Sequence, residues 1–439
     1  MNDIRHPAAQ GAADVPADDA RKLKILILSQ YFWPEGFRVN DLASELIARG
    51  HEVTVLTGLP NYPDGEVFPD FRENPEKYAS FEGAPVHRVP VIPRGNSSLK
   101  LMLNYISFAL SGTIFGPGKL RGQRFDAIFV FQTSPITSAL PALWIGWRKR
   151  APVLMWVLDL WPDTLSAIGV VKSPALLGLV GKLVSFIYKR CARILVQSRA
   201  FYDNVERYAG GTDTIRYFPG WPEPVFQNAV DGLAPPPELS PYADDFKVMF
   251  AGNLGQAQDI PAIIEAADVL RDEPGLRWII VGDGRAGEDA RAEVAKRGLG
   301  DKVIFAGRHP LERMPSFFSA ADALLVTLRD EPIWSMTIPG KVQSYLASGR
   351  PLLGMFNGEG GRVIREAEAG MTAPAGDYCT LADNVRTMMR MSREERAELG
   401  RNGRAYAQAH FNRAALIASL EEWIVELGDK TTAERQHDA

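Results

Sequence analysis

KILILSQYFWPEGFRVNDLASELIARGHEVTVLTG, at residues 24–58, is the stretch from which the fold class follows. It begins with a short apolar run, which is typical of a strand buried on both faces. From Val39 to Ile47 apolar residues recur at helical spacing, and Gly50 ends that helix before a second apolar strand. Strand, loop, helix and strand in this order form the unit of a parallel α/β sheet. Such sheets bind ligands beyond the carboxyl ends of their strands, so the loop at 30–40 is a candidate ligand loop.

The same alternation of strands and helices occupies two separate stretches and predicts an α/β protein of two domains. We expect one parallel-sheet, Rossmann-like domain at residues 23–226 and a second at 246–411, with a cleft between them. The polar, proline-rich piece at 227–245 has the composition of a linker. The remaining segments are a disordered tail at 1–22, a C-terminal helix at 412–428 and a polar tail at 429–439.

Composition excludes several classes of protein. Of 439 residues, 46% are hydrophobic and 23% are charged, which is ordinary for a globular chain, and the net charge of −4 gives no signal for nucleic-acid binding. Cys191 and Cys379 cannot form a disulfide framework, which indicates either a reducing compartment or a protein indifferent to redox conditions. Residues 1–20 lack the apolar core of a signal peptide, and no histidine–cysteine cluster or aspartate pair has the spacing of a metal site. We therefore expect a cytoplasmic protein without a metal.

A candidate anion site lies at residues 335–354, SMTIPGKVQSYLASGRPLLG, which predict a loop, a helix and a short strand. Pro339 fits the start of the helix, where its missing N–H costs nothing, and Gly349 fits the position after the last helical residue. The free N–H groups around Gly340 and the charge of Lys341 would together suit a diphosphate. The alternative is an ordinary surface helix with a solvated lysine, because most helix N-termini bind only water.

A second candidate is the carboxylate of Asp159, which ends the apolar strand APVLMWVLD and precedes Trp161. A carboxylate at the carboxyl end of a strand lies at the edge of the sheet that binds ligands. It could orient a hydroxyl group or accept its proton. A purely structural role for Asp159 is the alternative, and the residues alone do not decide between the two.

Two segments of the N-terminal half combine apolar and basic residues. Residues 99–115 are apolar nearly all round, but they are too short and too interrupted for a membrane span, which needs about 20 apolar residues. GKLVSFIYKRCARILVQS, at 181–198, predicts a helix with one apolar and one basic side. The basic side consists of Lys182, Lys189, Arg190 and Arg193. Such a helix can lie on an anionic membrane, although a core helix with a solvated basic face explains the pattern equally well.

Several motifs together resemble the family-four glycosyltransferases. These motifs are the opening stretch, VLDLWPD at 157–163, AGNLGQAQDI at 251–260, IIVGDG at 279–284 and IPGKVQSYLASGRPLL at 338–353. The resemblance covers residues 23 to about 411. It is strongest to the bacterial branch that builds O-antigen and capsule chains, which includes N-acetyl-fucosaminyl transferases.

The resemblance implies a GT-B fold, in which two Rossmann-like domains face each other across a cleft. It implies a retaining enzyme that moves a sugar from a UDP- or GDP-linked donor to a glycan acceptor linked to a lipid, with polyprenyl diphosphate as the expected carrier. No metal, other cofactor or nucleic acid is expected to take part. The enzyme would work at the inner face of the cell membrane without crossing it.

The resemblance also assigns residues to the two substrates, with the donor on the C-terminal domain and the acceptor on the N-terminal domain. The donor residues so implied are Gly252, Asn253, Leu254 and Gly255 at the diphosphate; Gly282, Asp283 and Gly284 near the base; Pro339, Gly340 and Lys341 at the ribose and phosphates; Arg308; and Glu35 and Gly36 in the loop that closes from the other domain. The acceptor residues so implied are Asn61, Tyr62 and Trp161, and Asp159 is the catalytic candidate.

The chain departs from the broad family at two pairs of positions. Many members carry an arginine and a lysine where this chain has Asn253 and Gln258, and two glutamates where it has Met336 and Ser344. The cations at the phosphates and the carboxylate at the ribose must therefore come from elsewhere. The candidates are Lys341 and Arg308 for the phosphates, and Asp330 and Glu331 for the ribose.

Those departures leave other functions open. The chain could be a non-catalytic GT-B subunit that binds a partner transferase or a glycan, or a GT-B epimerase that acts on nucleotide-sugars. A phosphorylase is disfavoured by the chain length and by the lack of a lysine placed to hold pyridoxal phosphate. The subunit hypothesis predicts no tight binding of UDP or GDP, whereas the transferase hypothesis predicts it.

Overall fold

The computed structural model describes residues 21–437 except 64, 96–97, 168–170, 172 and 227–231. Most of the predicted N-terminal tail and the first residues of the predicted linker lie outside these residues. Two α/β regions follow one another along the chain, and each is built on one predominantly parallel sheet. The fold class expected from the sequence is confirmed.

The strands of the N-terminal domain are β1 (Lys24–Ser29), β2 (Glu52–Thr57), β3 (Ser80–Phe81), β4 (Ala84–Arg88), β5 (Ala127–Gln132), β6 (Val153–Val157), β7 (Arg193–Val196) and β8 (Ile215–Tyr217). They form an eight-stranded sheet in the spatial order β3-β4-β2-β1-β5-β6-β7-β8. Neighbours are parallel except β3 and β4, which are antiparallel. The chain builds one side of the sheet from β1 and the other from β5. The crevice beyond the ends of β1 and β5 is therefore a ligand position typical of such sheets.

The helices of this domain are α1 (Arg38–Ala48), α2 (Pro69–Glu73), α3 (Ser98–Lys119), α4 (Ala139–Lys149), α5 (Asp163–Ala167), α6 (Pro174–Tyr188) and α7 (Phe201–Ala209). Successive strand residues point to opposite faces of the sheet. Leu26 and Leu28 pack on the face covered by α3, α4 and α6, whereas Ile25 and Ile27 pack on the face covered by α1. Because both faces are covered, the strands are apolar on both sides.

The basic segment that follows α6 differs from the expectation. Lys182 lies on α6, and Lys189 and Arg190 follow its last residue and are exposed. Arg193 instead begins β7, is only 6% exposed, and its Nη2 lies 3.2 Å from the Glu426 carboxylate. The prediction that Arg193 belongs to a basic helix face is therefore wrong, because the helix ends five residues earlier at Tyr188.

The strands of the C-terminal domain are β9 (Phe246–Ala251), β10 (Leu276–Val281), β11 (Val303–Gly307), β12 (Ala323–Thr327), β13 (Leu352–Met355) and β14 (Gly370–Ala373). They form a six-stranded parallel sheet in the order β11-β10-β9-β12-β13-β14. Its helices are α8 (Ile260–Val269), α9 (Gly287–Lys296), α10 (Met314–Ser319), α11 (Pro332–Ser335), α12 (Gly340–Ser348), α13 (Glu359–Glu366), α14 (Tyr378–Arg390) and α15 (Arg393–His410). The strand order reverses between β9 and β12, so the loops that follow these two strands meet at the ligand crevice of this sheet.

The last helix, α16 (Arg413–His437), returns to the N-terminal domain. Its buried residues Ile417, Leu420 and Ile424 join the cluster that includes α1. Glu421 also accepts two hydrogen bonds of 2.7 Å from the Arg49 guanidinium. The helix continues to His437, where the sequence predicts a polar tail, and it fastens the C-terminal end of the chain to the first domain.

Candidate active site

The helix α12 begins at the ligand crevice of the C-terminal sheet. Pro339 lies one residue before its first residue, Gly340, and Gly349 ends it in a left-handed conformation with φ 75°. In the first turn the Val342 N–H donates to the Pro339 carbonyl over 2.8 Å, and the N–H groups of Gly340 and Lys341 lie at the helix start, where an anion is favoured. A Cβ placed on Gly340 would have no atom within 4 Å. The helix therefore opens onto free space that an anion can enter.

Lys341 extends from this helix start across the end of β9. Its Nζ donates to Gln258 Oε1 over 2.9 Å and lies 3.7 Å from the centre of the Phe250 ring. A Cβ on Gly252 would lie 2.6 Å from Lys341 Cε, so only glycine lets the lysine pass. Burial lowers the pKa of Lys341 to about 7. This packed lysine differs from the solvated lysine of an ordinary surface helix.

The two glycine loops expected at the donor lie against each other. Gly252 and Gly282 have φ values of 135° and 132°, which side chains rarely adopt, and a Cβ on Gly282 would lie 2.0 Å from the Gly252 carbonyl oxygen. A Cβ on Gly284 would lie 2.6 Å from the Leu254 carbonyl oxygen. These contacts bring the backbones after β9 and β10 together beside Lys341. Gly255 follows in the same turn.

Three of the expected donor residues have clearly different surroundings. The Leu254 side chain is fully buried. Its N–H donates to the Asp283 carbonyl and its own carbonyl accepts from the Ala286 N–H, so Leu254 fixes this loop to the loop after β10. Asp283 accepts from its neighbour Gly284 N–H at 2.8 Å, while Asn253 is exposed. The Leu254 side chain therefore supports the loop, and the donor role expected for this residue stays a prediction.

Arg308 is exposed directly after β11. Its neighbour Gly307 accepts a 2.7 Å hydrogen bond from the N–H of Gly282. The backbone of Arg308 therefore lies next to the second glycine loop, at the edge of the sheet where β9 and β10 end. This position is consistent with its predicted role as a second cation near the phosphates.

Glu35 does not face the cleft as expected. Its side chain is 2% exposed, and its carboxylate accepts from the N–H groups of Asn61 and Tyr62 at 2.8 Å and of Phe32 at 3.1 Å. Burial raises the pKa of Glu35, and these hydrogen bonds and Arg88 oppose that rise. Glu35 therefore holds together the loops after β1 and β2, and its expected role at the donor stays a prediction.

Gly36, the neighbour of Glu35, is exposed, and a Cβ on it would have no atom within 4 Å. The first loop therefore presents open backbone next to its buried anchor. This geometry leaves the predicted approach of Gly36 to a donor feasible.

The three expected acceptor residues separate into one exposed and two buried side chains. Asn61 is buried, and its amide bonds to Leu59 and Arg94 backbone atoms at 2.7 and 2.8 Å. Trp161 is also buried, and its Nε1–H donates to Asp159 Oδ2 over 3.2 Å. Both side chains hold neighbouring loops, and the acceptor roles expected for Asn61 and Trp161 stay predictions. Tyr62 is exposed and can offer its ring to a ligand.

Asp159 lies two residues beyond β6 and is partly buried. Its carboxylate accepts hydrogen bonds from Trp161, Thr164 and Ser134. Burial raises the pKa of Asp159, while these hydrogen bonds oppose the rise. The group is thus fixed in direction and nearer to the pKa of a working base than a free aspartate is.

Gln132 is a polar residue near Asp159 for which the sequence argument has no role. It ends β5 opposite Val157 of β6, and its side chain is fully buried. Neither atom of its amide has a hydrogen-bond partner within the described part of the chain. A buried, unpaired amide at a strand end indicates a place for water or for a ligand hydroxyl. The signal in the sequence is a single glutamine that terminates the apolar run AIFVFQ.

The two domains meet through side chains on either side of the cleft. Ser198, just beyond β7, donates to the carbonyl of Met336, and Ile333 of α11 is buried in the N-terminal core. Arg38, at the start of α1, donates to Glu223 over 3.0 Å, and Glu223 also accepts from Ser344 on α12. The loop after β1 and the first turns of α12 thus lie at one site.

Neither predicted replacement for the missing glutamates reaches Ser344 in the structure. Asp330 accepts from Asn357 at 2.8 Å, and Glu331 is exposed at the start of α11. Glu223 is the carboxylate bonded to Ser344 among the described contacts. The sequence gives no local sign of this, because 121 residues separate the two.

Among the residues that the structure describes, no group of three or more histidine, cysteine, aspartate or glutamate residues could hold a metal ion. No helix in the same residues is long and apolar enough to cross a membrane. Cys191 is buried, which raises the pKa of its thiol to about 12, and Cys379 is exposed.

Comparison with known proteins identifies two domain families and several relatives. Residues 36–221 match the Glycosyl transferase 4-like domain, and residues 245–391 match Glycosyl transferases group 1. Over 346 residues, 74% of this chain and 82% of the relative, the chain is 28% identical to WcaI of Escherichia coli (strain K12), which is named for a colanic acid biosynthesis glycosyl transferase.

Two solved structures share the fold over almost their whole length. HepE of Anabaena, in complex with UDP and glucose, has a TM-score of 0.61 and 18% identity over 91% of this chain and 98% of its own. The lipopolysaccharide outer core galactosyltransferase WaaB has a TM-score of 0.61 and 12% identity over 92% of this chain and 99% of its own. The two parallel-sheet domains therefore have the GT-B fold. The two family matches succeed one another along the chain, so this protein contains a Glycosyl transferase 4-like domain followed by a Glycosyl transferases group 1 domain.

Proposed function

We propose that the protein transfers a sugar from a UDP- or GDP-linked donor to a lipid-linked glycan during the synthesis of a cell-surface polysaccharide, with retention at the anomeric carbon. The O-antigen and capsule branch, including N-acetyl-fucosaminyl transfer, is the proposed setting. The observation that carries the proposal is the meeting of three features in one cleft. These are the open helix start at Gly340, the packed Lys341, and the glycine backbones at Gly252 and Gly282.

The donor diphosphate would lie at the start of α12. There it accepts hydrogen bonds from the free N–H groups, and Lys341 and Arg308 neutralise its charge. As the bond from the sugar to the diphosphate breaks, negative charge grows on the leaving phosphate, and the same groups stabilise it more strongly. No metal or other cofactor is needed for this arrangement, since backbone dipoles and two cations supply the charge.

The acceptor would approach from the N-terminal domain. Its hydroxyl oxygen forms the new bond to the anomeric carbon while the bond to the diphosphate breaks, and the nucleoside diphosphate leaves. The hydroxyl proton passes to the leaving phosphate or to Asp159, and Asp159 orients the hydroxyl in either case. Retention needs no nucleophile from the protein if the hydroxyl attacks from the face that the diphosphate leaves.

An exposed apolar surface supports a membrane-bound acceptor. The helices α3, α4 and α6 expose large apolar side chains of Met102, Leu103, Ile106, Leu110, Ile114, Phe115, Trp144, Trp147, Leu176, Leu179 and Phe186. Trp147 is 72% exposed and stacks on Trp144 at 5.2 Å. Tryptophan favours the interface between water and lipid, and the exposed Lys182, Lys189 and Arg190 suit anionic headgroups. We propose that this surface lies on the inner face of the cell membrane.

A panel of nucleotide-sugars tested by thermal shift distinguishes this proposal from its alternatives. A donor at 100 times its dissociation constant should add about 2.7 kcal/mol to the free energy of unfolding. A non-catalytic subunit would show no shift with any donor. An epimerase would convert the sugar of its donor in the absence of acceptor, whereas a transferase would need the acceptor.

A further inference from the structure

Glu223 occupies the point where the chain leaves the N-terminal domain, between β8 and the short 3-10 helix Pro224–Phe226. This segment runs along α12, since a Cβ on Gly220 would lie 3.0 Å from Gln343 Oε1. The Glu223 carboxylate accepts from Arg38 of the first domain with one oxygen and from Ser344 of the second with the other. It is thus held from both sides of the cleft.

This carboxylate keeps bonding capacity toward the cleft. An ionised carboxylate has about four acceptor positions, and the described contacts use two of them. The side chain is 28% exposed. The Arg38 guanidinium lies 3.0 Å from one carboxylate oxygen and so places a positive charge beside the group. A pair of neighbouring hydroxyl groups is the natural ligand for the two acceptor positions that remain, one on each oxygen.

The distance along α12 indicates which pair of hydroxyls would reach it. At about 1.5 Å per residue, Ser344 lies about 6 Å from the helix start at Gly340, where the diphosphate is proposed to bind. In a nucleoside diphosphate the ribose follows the phosphates through one carbon and one oxygen. A carboxylate one helical turn beyond the phosphate position therefore meets the ribose.

We infer that Glu223 binds the ribose 2′- and 3′-hydroxyls of the donor nucleotide, with Ser344 and Arg38 as the residues that position it. The inference rests on the proposed function, because it requires a nucleoside diphosphate at the start of α12. It also explains the serine at position 344. A carboxylate there would be repelled by Glu223, whereas the hydroxyl donates to it.

The test compares UDP and GDP with their 2′-deoxy and 3′-deoxy forms by calorimetry. Wild-type protein should bind the deoxy forms of its preferred nucleotide roughly tenfold or more weakly, because each lacks a hydrogen bond to a charged group. Glu223→Gln should bind the ribose form roughly tenfold more weakly and lose most of the discrimination against the deoxy forms. Its melting temperature, measured without ligand, shows whether the fold survives.

A second pair of variants moves the carboxylate instead of removing it. Ser344→Glu alone places two carboxylates together and should weaken binding, whereas Ser344→Glu combined with Glu223→Ser should restore ribose discrimination. An equal loss for ribose and deoxy forms in Glu223→Gln, or no loss at all, would overturn the inference and leave Glu223 as a bridge between the domains. Wild-type protein that binds neither UDP nor GDP would instead refute the proposed function, and the inference with it.

Discussion

The variant Lys341→Met tests whether Lys341 stabilises the fold or serves to bind a ligand. Burial lowers the pKa of Lys341 to about 7 from its ordinary 10.5. At about 1.36 kcal/mol per pKa unit, charging this lysine in the folded protein costs roughly 5 kcal/mol. Methionine has a similar length and can cover the Phe250 ring without a charge. It loses the contacts to Gln258 and to the ring, so we expect a net gain of roughly 1–3 kcal/mol in unfolding free energy at pH 6.

The pH dependence of stability gives the sign of this effect. Between pH 7 and 10.5 the unfolded chain holds the lysine proton and the folded chain does not. Unfolding therefore takes up a proton in this window, and the stability of the wild type rises with pH. In Lys341→Met the unfolding free energy should rise less steeply with pH, because the contribution of this one proton is missing. Thermal melts at pH 6, 8 and 9 measure the difference, and Lys296→Met, at an exposed lysine of the same domain, is the matched control.

Binding of UDP or GDP should favour the wild type over Lys341→Met, although the variant is expected to be the more stable protein without ligand. A bound diphosphate raises the pKa of Lys341, so at pH 8 the wild type should take up about one proton as it binds UDP or GDP. Its affinity should fall as pH rises above 7. Lys341→Met lacks the group that takes up this proton, so its proton uptake should be smaller by about one. It should also bind UDP or GDP at least tenfold more weakly, since a charged hydrogen bond is worth roughly 1.5–3 kcal/mol. Calorimetry in two buffers of different ionisation enthalpy measures the uptake. Equal affinity in both proteins, with equal proton uptake, would refute the assignment.

Three further predictions test other parts of the site. Asp159→Asn should lower kcat by tenfold or more with little change in donor affinity. In the wild type, the acid limb of the pH–rate profile should lie above the pKa of an ordinary aspartate, because burial raises the pKa of Asp159. Unchanged kcat in the variant would return Asp159 to a structural role. Glu35→Gln should lower the free energy of unfolding by about 1–3 kcal/mol, since an amide NH2 would face a backbone N–H, and it should leave donor affinity unchanged; the opposite pattern in melts and titrations would place Glu35 at the donor. The double variant Trp144→Ser, Trp147→Ser should float less with anionic vesicles than the wild type does. High salt should weaken binding further, because it screens the attraction between the basic residues and the lipid headgroups. If flotation does not depend on lipid charge, on salt or on the two tryptophans, this surface has no membrane role.

Regular structure was the part of this protein most open to prediction from sequence. The apolar run of β1, the spacing of α1 and the glycine after α12 each record a local requirement, and the structure meets all three. The amphipathic C-terminal helix was also predictable, but its partner was not. Residues such as Ile417 give the helix an apolar face, but the sequence does not show which surface covers that face. In the structure it packs in the cluster that includes α1.

The site was predictable as a set of loops and much less as a set of side chains. Glu35, Asn61 and Trp161 have the residue types of a binding site and lie in the expected loops, yet the first domain buries them as supports. Lys341 and Gly252 pass each other closely, which no local pattern encodes. Glu223 looks like part of a proline-rich turn, and its place at α12 depends on how the domains meet. Burial and contacts between distant segments decided each case.

A calorimetric titration of the wild-type protein with UDP and with GDP, in the presence of EDTA, tests the central claim most directly. The cleft at α12 is proposed to bind a nucleoside diphosphate through backbone N–H groups and cations alone. One of the two nucleotides should therefore bind at one site per chain, with an affinity that the chelator does not change. Absence of binding by both nucleotides, with the protein folded, would contradict the claim and favour a non-catalytic subunit of the same fold.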